Sequence, residues 1–305
     1  MSSLWDNIQG KWKLASGAWA DTSGNGNTLT ASGTVNQIAG FGGGANLAAD
    51  FAAGPYLYIT DAAQVGLDIT GAMTISAWFK LDVLNVNQIL VAKWNAAPNL
   101  AYALFITTAN KGQFYVSSNG TATSNIVGST VLTTGVWYHL VGVYTGSQLQ
   151  LYLNSVSDAT PVTYSSGIYN CNQDFRLGIN SGGLYPIDGT IDDVAIWSRA
   201  LSTTEIGALY NAADDFAVGS LSGTIKNKNG VLVDCSTYNA RVNIYPKNNS
   251  TATPIFTQLV TASNGQWSQD GLVSGVKYLI TFEYEGSYTP TGETDIAGAE
   301  LLTAA

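Results

Sequence analysis

The chain has 305 residues, enough for about two domains at ~150 residues each; 46% of them are hydrophobic and only 11% charged. Twelve Lys and Arg against 21 Asp and Glu give a formal net charge of −9, which argues against a role in gripping a phosphate backbone. No apolar run approaches the ~18 residues of a membrane helix, and the single histidine, His139, leaves no two-histidine metal motif.

The first residues, Met1-Ser2-Ser3-Leu4-Trp5-Asp6, carry no basic stretch, apolar segment or small-residue cleavage site. The expectation is a protein made in a cytoplasm without export, or a mature form with an added methionine. Trp12-Lys13-Leu14 is followed by a glycine-rich polar loop, Asp21-Thr22-Ser23-Gly24-Asn25-Gly26-Asn27. Residues 73–80 then alternate, with Met73, Ile75, Ala77 and Phe79 on one face. Similar strand signals follow at 88–93, 101–107, 113–117, 137–144 and 148–153, the last with three leucines facing one way and two glutamines the other. Lys111-Gly112, Asn119-Gly120 and Thr145-Gly146 supply turns between them. Short strands at regular spacing without alternating helices predict an all-β sandwich.

Ser202-Thr203-Thr204-Glu205 fits a capping box, and Ile206, Leu209 and Tyr210 form a stripe at helical spacing that ends near Asn211. Ala212-Ala213-Asp214-Asp215-Phe216-Ala217 reads as a boundary, after which strand-like runs resume around turns at Asn229-Gly230, Asn264-Gly265 and Ser274-Gly275. The predicted organisation is a first domain over 1–216, a smaller β-sandwich over 217–288 and a C-terminal arm over 289–305. Cys171 and Cys235 fall in different predicted domains, so two buried thiols are expected rather than a disulfide framework.

Residues 11–211 resemble the concanavalin A-like lectin/glucanase superfamily in its laminin-G-like branch. The resemblance rests on Trp12-Lys13-Leu14, the 21–27 loop, Thr74-Ile75-Ser76-Ala77-Trp78-Phe79, Trp137-Tyr138-His139-Leu140-Val141, Leu151-Tyr152-Leu153-Asn154 and the block from Asp188-Gly189-Thr190-Ile191-Asp192-Asp193 through Trp197 to Ser202. It implies a jelly-roll of two antiparallel sheets. Two departures stand out: Ala15-Ser16 where the family often has an acidic pair, and Asn154-Ser155 where it has an Asn-Gly turn. Residues 219–286 are similar to carboxypeptidase-regulatory-like or transthyretin-like Ig-type modules, through Gly223-Thr224-Ile225, Asn229-Gly230-Val231 and Asn264-Gly265-Gln266-Trp267.

Three candidate sites emerge. Asp21, Ser23, Asn25 and Asn27 offer oxygen ligands of the kind calcium prefers. Asp192 shares a strand face with Val194 and Ile196 and would need a partner if that face were the core. The resemblance implies a structural calcium between an early loop and the last strand. The alternative is that Asp21 caps a turn and Asp192 accepts backbone amides. For glycan binding, Trp94, Asn95, Asn99 and Tyr102 surround a proline-containing loop, and Tyr185 follows Gly182-Gly183; the alternative places these aromatics in the core. Hydrolysis lacks its carboxylates, because no glutamate precedes Glu205 and adjacent Asp192 and Asp193 point to opposite faces of a strand.

The sequence is therefore expected to encode a non-enzymatic binding or structural protein. The leading setting is a bacteriophage virion surface, as capsid decoration or a fibre or tail adhesin, because such modules are familiar appendages of phage particles. Expected partners are other virion proteins or further copies of the chain, as in a trimer, and a host glycan, with no nucleic acid and no membrane. A secreted bacterial carbohydrate-binding adhesin is the alternative, and a glycoside hydrolase a third.

Overall fold

The computed structural model describes residues 4–14, 19–41, 47–52 and 54–211, and beyond them only the backbone of strands within 218–303. The chain divides into two compact units, Asp6–Ser202 and a second that joins Met1–Trp5 to Thr203–Ala305. Among the described residues no helix is long and apolar enough to cross a membrane.

In the first unit the strands are β1 (Ile8–Trp12), β2 (Thr30–Ser32), β3 (Asn36–Ala39), β4 (Leu47–Ala52), β5 (Tyr56–Ile59), β6 (Met73–Leu81), β7 (Gln88–Trp94) and β8 (Leu100–Ile106). They continue as β9 (Gly112–Gly120), β10 (Ser124–Val127), β11 (Trp137–Tyr144), β12 (Gln148–Leu153), β13 (Val156–Ser157), β14 (Val162–Thr163), β15 (Phe175–Leu177) and β16 (Asp188–Trp197). One sheet has the order β13-β12-β11-β6-β16-β4-β3, with β1 added to β16 and β14 to β12; the other runs β10-β9-β8-β7-β15-β5-β2. Every recorded pairing is antiparallel, and the two sheets form a jelly-roll sandwich.

Alternation explains the packing. Met73, Ile75, Ala77, Phe79 and Leu81 of β6 are fully buried in the core between the sheets, as are Leu149 and Leu151 of β12. Tyr102, Leu104 and Ile106 of β8 and Phe114 and Val116 of β9 close the core from the other sheet. Each large apolar side chain buried this way contributes roughly 1.5–3 kcal/mol. The residues between them in sequence point the other way. Ile89, Ala92, Ala103 and Phe105 form a separate apolar cluster on the outer face of the second sheet, with Trp94 and Tyr115 packed against it.

The β12–β13 hairpin shows how the chain turns without the family's glycine. Asn154 and Ser155 both adopt positive φ, 50° and 65°, as a two-residue hairpin turn demands. Serine is strained there, so Ser155→Gly is expected to stabilise the unit by roughly 0.5 kcal/mol after the glycine's extra unfolded-state entropy is counted. Denaturant unfolding of the two proteins reads the difference.

Helix α1 (Thr203–Asn211) opens the second unit and buries Ile206 and Leu209 of the predicted stripe. The boundary expected at 212–217 lies outside the described residues. Strands β17 (Val218–Thr224), β18 (Asn239–Pro246), β19 (Phe256–Val260), β20 (Gln266–Val273), β21 (Lys277–Glu285) and β22 (Glu300–Thr303) follow. β17 pairs with β20, and a four-stranded sheet has the order β19-β18-β21-β22. Part of the segment expected as an unpatterned arm, 300–303, is thus a strand paired with residues 277–280; 289–299 and 304–305 lie outside the described residues, as does Cys235. Cys171 is free and buried.

Candidate functional site

The outer face of the second sheet carries a groove of about 460 Å³. Its shape follows from register. Across β7, β8, β9 and β10, one row sets Ile89 beside Phe105, Gln113 and Val127, and the next sets Ala92 beside Ala103, Tyr115 and Asn125. Two adjacent alanines leave a depression between larger neighbours. Trp94, Phe105, Tyr115 and Tyr185 are its aromatic lining, Ile89 and Ala103 its floor, and Asn87, Thr107, Gln113 and Thr123 its polar edge.

The aromatics support one another. Trp94 and Tyr115 lie 5.5 Å apart in a tilted pair, and Phe105 presents edge-on contacts to Tyr115 at 5.6 Å and to Tyr185 at 5.7 Å. Offset and edge-on arrangements of this kind are the favourable ones for rings. Tyr185 reaches the groove because its loop is pinned to β7: Ser181 N–H donates to Trp94 O and Ile89 N–H to Tyr185 O, both at 2.9 Å. Asn180 Oδ1 accepts Leu184 N–H at 2.7 Å inside the same loop, and Tyr185 itself takes a φ of 59°. Burial raises the Tyr115 phenol above its ordinary pKa, partly offset by a hydrogen bond with Gln113. The phenol therefore stays protonated and able to donate at neutral pH. Tyr185 and Thr123 are exposed and Trp94 is half-buried, so the groove is open to solvent along an amphipathic wall.

Of the four residues expected to contact a glycan, the structure brings Trp94 and Tyr185 together at this groove, whereas Asn95 and Tyr102 lie elsewhere. Tyr102 is fully buried in the core and its hydroxyl donates to Leu67 O at 2.7 Å; alternation puts it on the inner face, with Ala103 outside. Asn95 is committed to its loop. Its Nδ2 donates to Gln173 Oε1 at 3.0 Å, its Oδ1 accepts Ala96 N–H, and its backbone N–H donates to Asn99 O. Phe105, Tyr115, Asn87, Gln113, Thr107 and Thr123 were not among the expected site residues. Only β9 carried a signal for them, since Gln113 and Tyr115 alternate with core Phe114 and Val116, whereas β8 is apolar throughout and buried on both faces.

The loop at 21–27 is a hydrogen-bonded turn. Asp21 Oδ1 accepts N–H groups of Lys11 (3.0 Å) and Ser23 (2.8 Å), and Oδ2 accepts Ser23 O–H and Asn27 N–H, both at 2.8 Å. Asn25 Nδ2 donates to Ile8 O and Gln9 O, and Asn27 Nδ2 donates to Gln9 O and Val65 O while its Oδ1 accepts Val65 N–H. Calcium needs oxygens directed at one point, whereas here donors face the carboxylate and both amides turn their NH2 groups to carbonyls. The residues present do not fit a calcium site. Asp192 does not complete one either. Ile191, Val194 and Ile196 belong to the core, but Asp192 pairs with Trp78, which lies on the opposite face of the sheet. A register shift between Asp192 and Ala195, with Asp193 at a φ of 44°, breaks the alternation that put Asp192 beside Val194. Its carboxylate is buried and accepts the N–H groups of Phe41 (3.2 Å) and Asp193 (2.9 Å). Among the described residues no group of three or more His, Cys, Asp or Glu could hold a metal. Asp21→Ala is expected to cost about 2 kcal/mol, by leaving backbone donors without their acceptor. Melting curves in excess calcium and in chelator are expected to coincide for both proteins.

His139 is also structural. It is fully buried in β11, with Nε2 2.7 Å from Ser76 Oγ and its ring stacked on Trp78 at 5.0 Å. Ser76 has no exposure either, so the pair is closed to a substrate.

Comparison with known proteins agrees with this architecture. A family model for the concanavalin A-like lectin/glucanases superfamily matches residues 51–207. Domain 4 of AbnA, an extracellular arabinanase from Geobacillus stearothermophilus solved in complex with arabinotriose, is 19% identical with a TM-score of 0.54, over 67% of this chain and 98% of that one. The binding domain of Paraclostridial Mosquitocidal Protein 1 is 14% identical with a TM-score of 0.58, over 98% and 76%. A botulinum neurotoxin serotype D/C binding domain is 14% identical with a TM-score of 0.55, over 92% and 72%. At such identities the likeness is one of fold. No curated protein matches the sequence significantly.

Proposed function

The chain belongs to the concanavalin A-like lectin/glucanase superfamily, and from that premise we propose that it is a non-enzymatic carbohydrate-binding protein whose groove on the outer face of the second sheet takes a glycan. The observation that carries the reading is the juxtaposition of Trp94, Tyr115, Tyr185 and Phe105 with the amides of Asn87 and Gln113 around an apolar floor of Ile89 and Ala103. Sugar rings present apolar C–H faces that stack on aromatic rings and hydroxyls that both donate and accept. A site for them needs ring surfaces bordered by uncharged polar groups. Two similar folds are binding domains of toxins, and a third was solved with arabinotriose, which supports a binding role rather than catalysis.

Trp94→Ala is expected to cost about 2 kcal/mol of binding, a loss of roughly 30-fold in affinity, as for other central aromatic anchors. Calorimetric titration with a short oligosaccharide, arabinotriose among the first tried, reads it. Equal affinity in the two proteins would remove the groove from the interaction.

For the setting of that binding we propose the surface of a bacteriophage particle, supported by the low charge of the chain and its layout in two units. A specific antibody is expected to label the surface of intact purified particles; absence of the protein from them would sink this part. Further copies of the chain or other particle proteins would then be its partners.

A further inference from the structure

Resting on that reading, we infer that the groove selects uncharged oligosaccharides and rejects anionic ones such as sialylated, uronic or sulfated glycans. None of the described residues lining it carries a charge. Its polar edge offers amides and hydroxyls, which match sugar hydroxyls but cannot neutralise a carboxylate or sulfate. The cation in register with the floor is Arg176, paired across from Ala92. It is already committed: its guanidinium bonds Asp174 at 3.0 Å and Asn180 O at 3.3 Å and lies over the Tyr56 ring at 4.6 Å. Lys93, next to Trp94 in sequence, is buried on the other side of the strand and held by Asp61 and Asp68.

An anionic sugar in this groove would exchange water for aromatic surface around its charge and gain no counter-ion. The net charge of −9 adds repulsion at a distance. A neutral chain meets neither obstacle. Selection therefore follows from what the edge lacks as much as from what the rings attract.

The test uses the full chain and matched probes: arabinotriose, cellotetraose and lactose against sialyllactose, a galacturonate trimer and a sulfated lactose. At least one neutral probe is expected to bind at least about tenfold more tightly than every anionic one, a preference worth ~1.4 kcal/mol. Neutral binding is expected to be unchanged between ~0.05 and ~0.5 M salt, since no ion pair is there to screen. Thr123→Arg, at an exposed edge position, is expected to narrow the preference by strengthening anionic binding relative to neutral binding, with a melting temperature near that of the unsubstituted chain. Anionic probes binding as well as neutral ones, or a preference untouched by Thr123→Arg in a folded variant, would overturn the inference and leave glycan binding intact. No binding by any probe would overturn the proposed function and this inference with it.

Discussion

Replacing Lys93 with alanine is expected to cost the first unit about 3 kcal/mol and to lower its melting temperature by roughly 6–12 °C, on the scale usual for a unit of this size. Lys93 is 1% exposed, and its three ammonium hydrogens have three short partners: Asp61 Oδ1 at 2.6 Å, Asp68 Oδ1 at 2.7 Å and Cys171 O at 2.6 Å. One side chain of β7 thereby ties down the 60–69 segment and the chain before β15. Removing it leaves two carboxylates beside each other and an orphaned carbonyl. The cost sits at the low end for broken buried ion pairs because the aspartates are 30% and 34% exposed and can rehydrate. Lys93→Arg is not a rescue, since a planar guanidinium cannot present three donors in that pyramid. Burial alone would lower the lysine pKa, but the hydrogen bonds that its ammonium donates to Asp61 and Asp68 outweigh it and raise the value above 10.5. The sign follows: a raised folded-state value gives stability that is complete below about pH 10.5 and is lost as pH climbs through the higher folded value. Denaturant unfolding at neutral and alkaline pH measures both effects. Unchanged stability in Lys93→Ala would show the cluster to be incidental.

The second large effect concerns acid. Burial pushes the His139 pKa down from 6.5 to about 3, so the ring stays neutral where an unfolded chain would take up a proton. The unfolded state binds more protons between those values, and stability therefore rises with pH across the window and falls on acidification. Between pH 7.5 and 5 the loss attributable to this one ring is expected to be about 2 kcal/mol. His139→Gln keeps a polar group near Ser76 Oγ and cannot titrate. Its stability at pH 7.5 is expected to be lower, yet flatter down to pH 5 than that of the unsubstituted chain. Working above pH 5 keeps the carboxylates, common to both proteins, mostly out of the comparison. Parallel pH profiles would mean that His139 is not desolvated.

The sandwich was legible because alternation is strong where one face is polar. In β12, glutamines separate the leucines, and the fold follows that pattern. The groove was only half legible for the same reason reversed. Strand β8 is apolar on both faces, so nothing in Ala101-Tyr102-Ala103-Leu104-Phe105 says whether Tyr102 or Ala103 faces inward. Position near loops points to Trp94 and Tyr185 but not to Phe105 and Tyr115, which the register of β7, β8 and β9 brings to the same place. Asp192 was misplaced by a different cause. The strand signal assumes uninterrupted alternation, and the irregularity between Asp192 and Ala195 shifts the face of every residue on one side of it. For Asp21 the residue types alone fitted calcium and turn equally. The direction of the donors around its two oxygens decides between them.

Glycan binding through the second sheet is tested most directly by filling the groove without removing any ring. Ala103 is its small floor residue, so Ala103→Leu raises the floor beneath Trp94 and Tyr115 while leaving the core face of β8 unchanged. The measurement is an array of immobilised neutral and anionic oligosaccharides probed with the full chain and with this variant, after matching melting curves establish that both are folded. Binding to neutral glycans that disappears in Ala103→Leu is the expected result. Binding that survives it, or an array on which the unsubstituted chain finds no ligand, would contradict the function proposed for this groove.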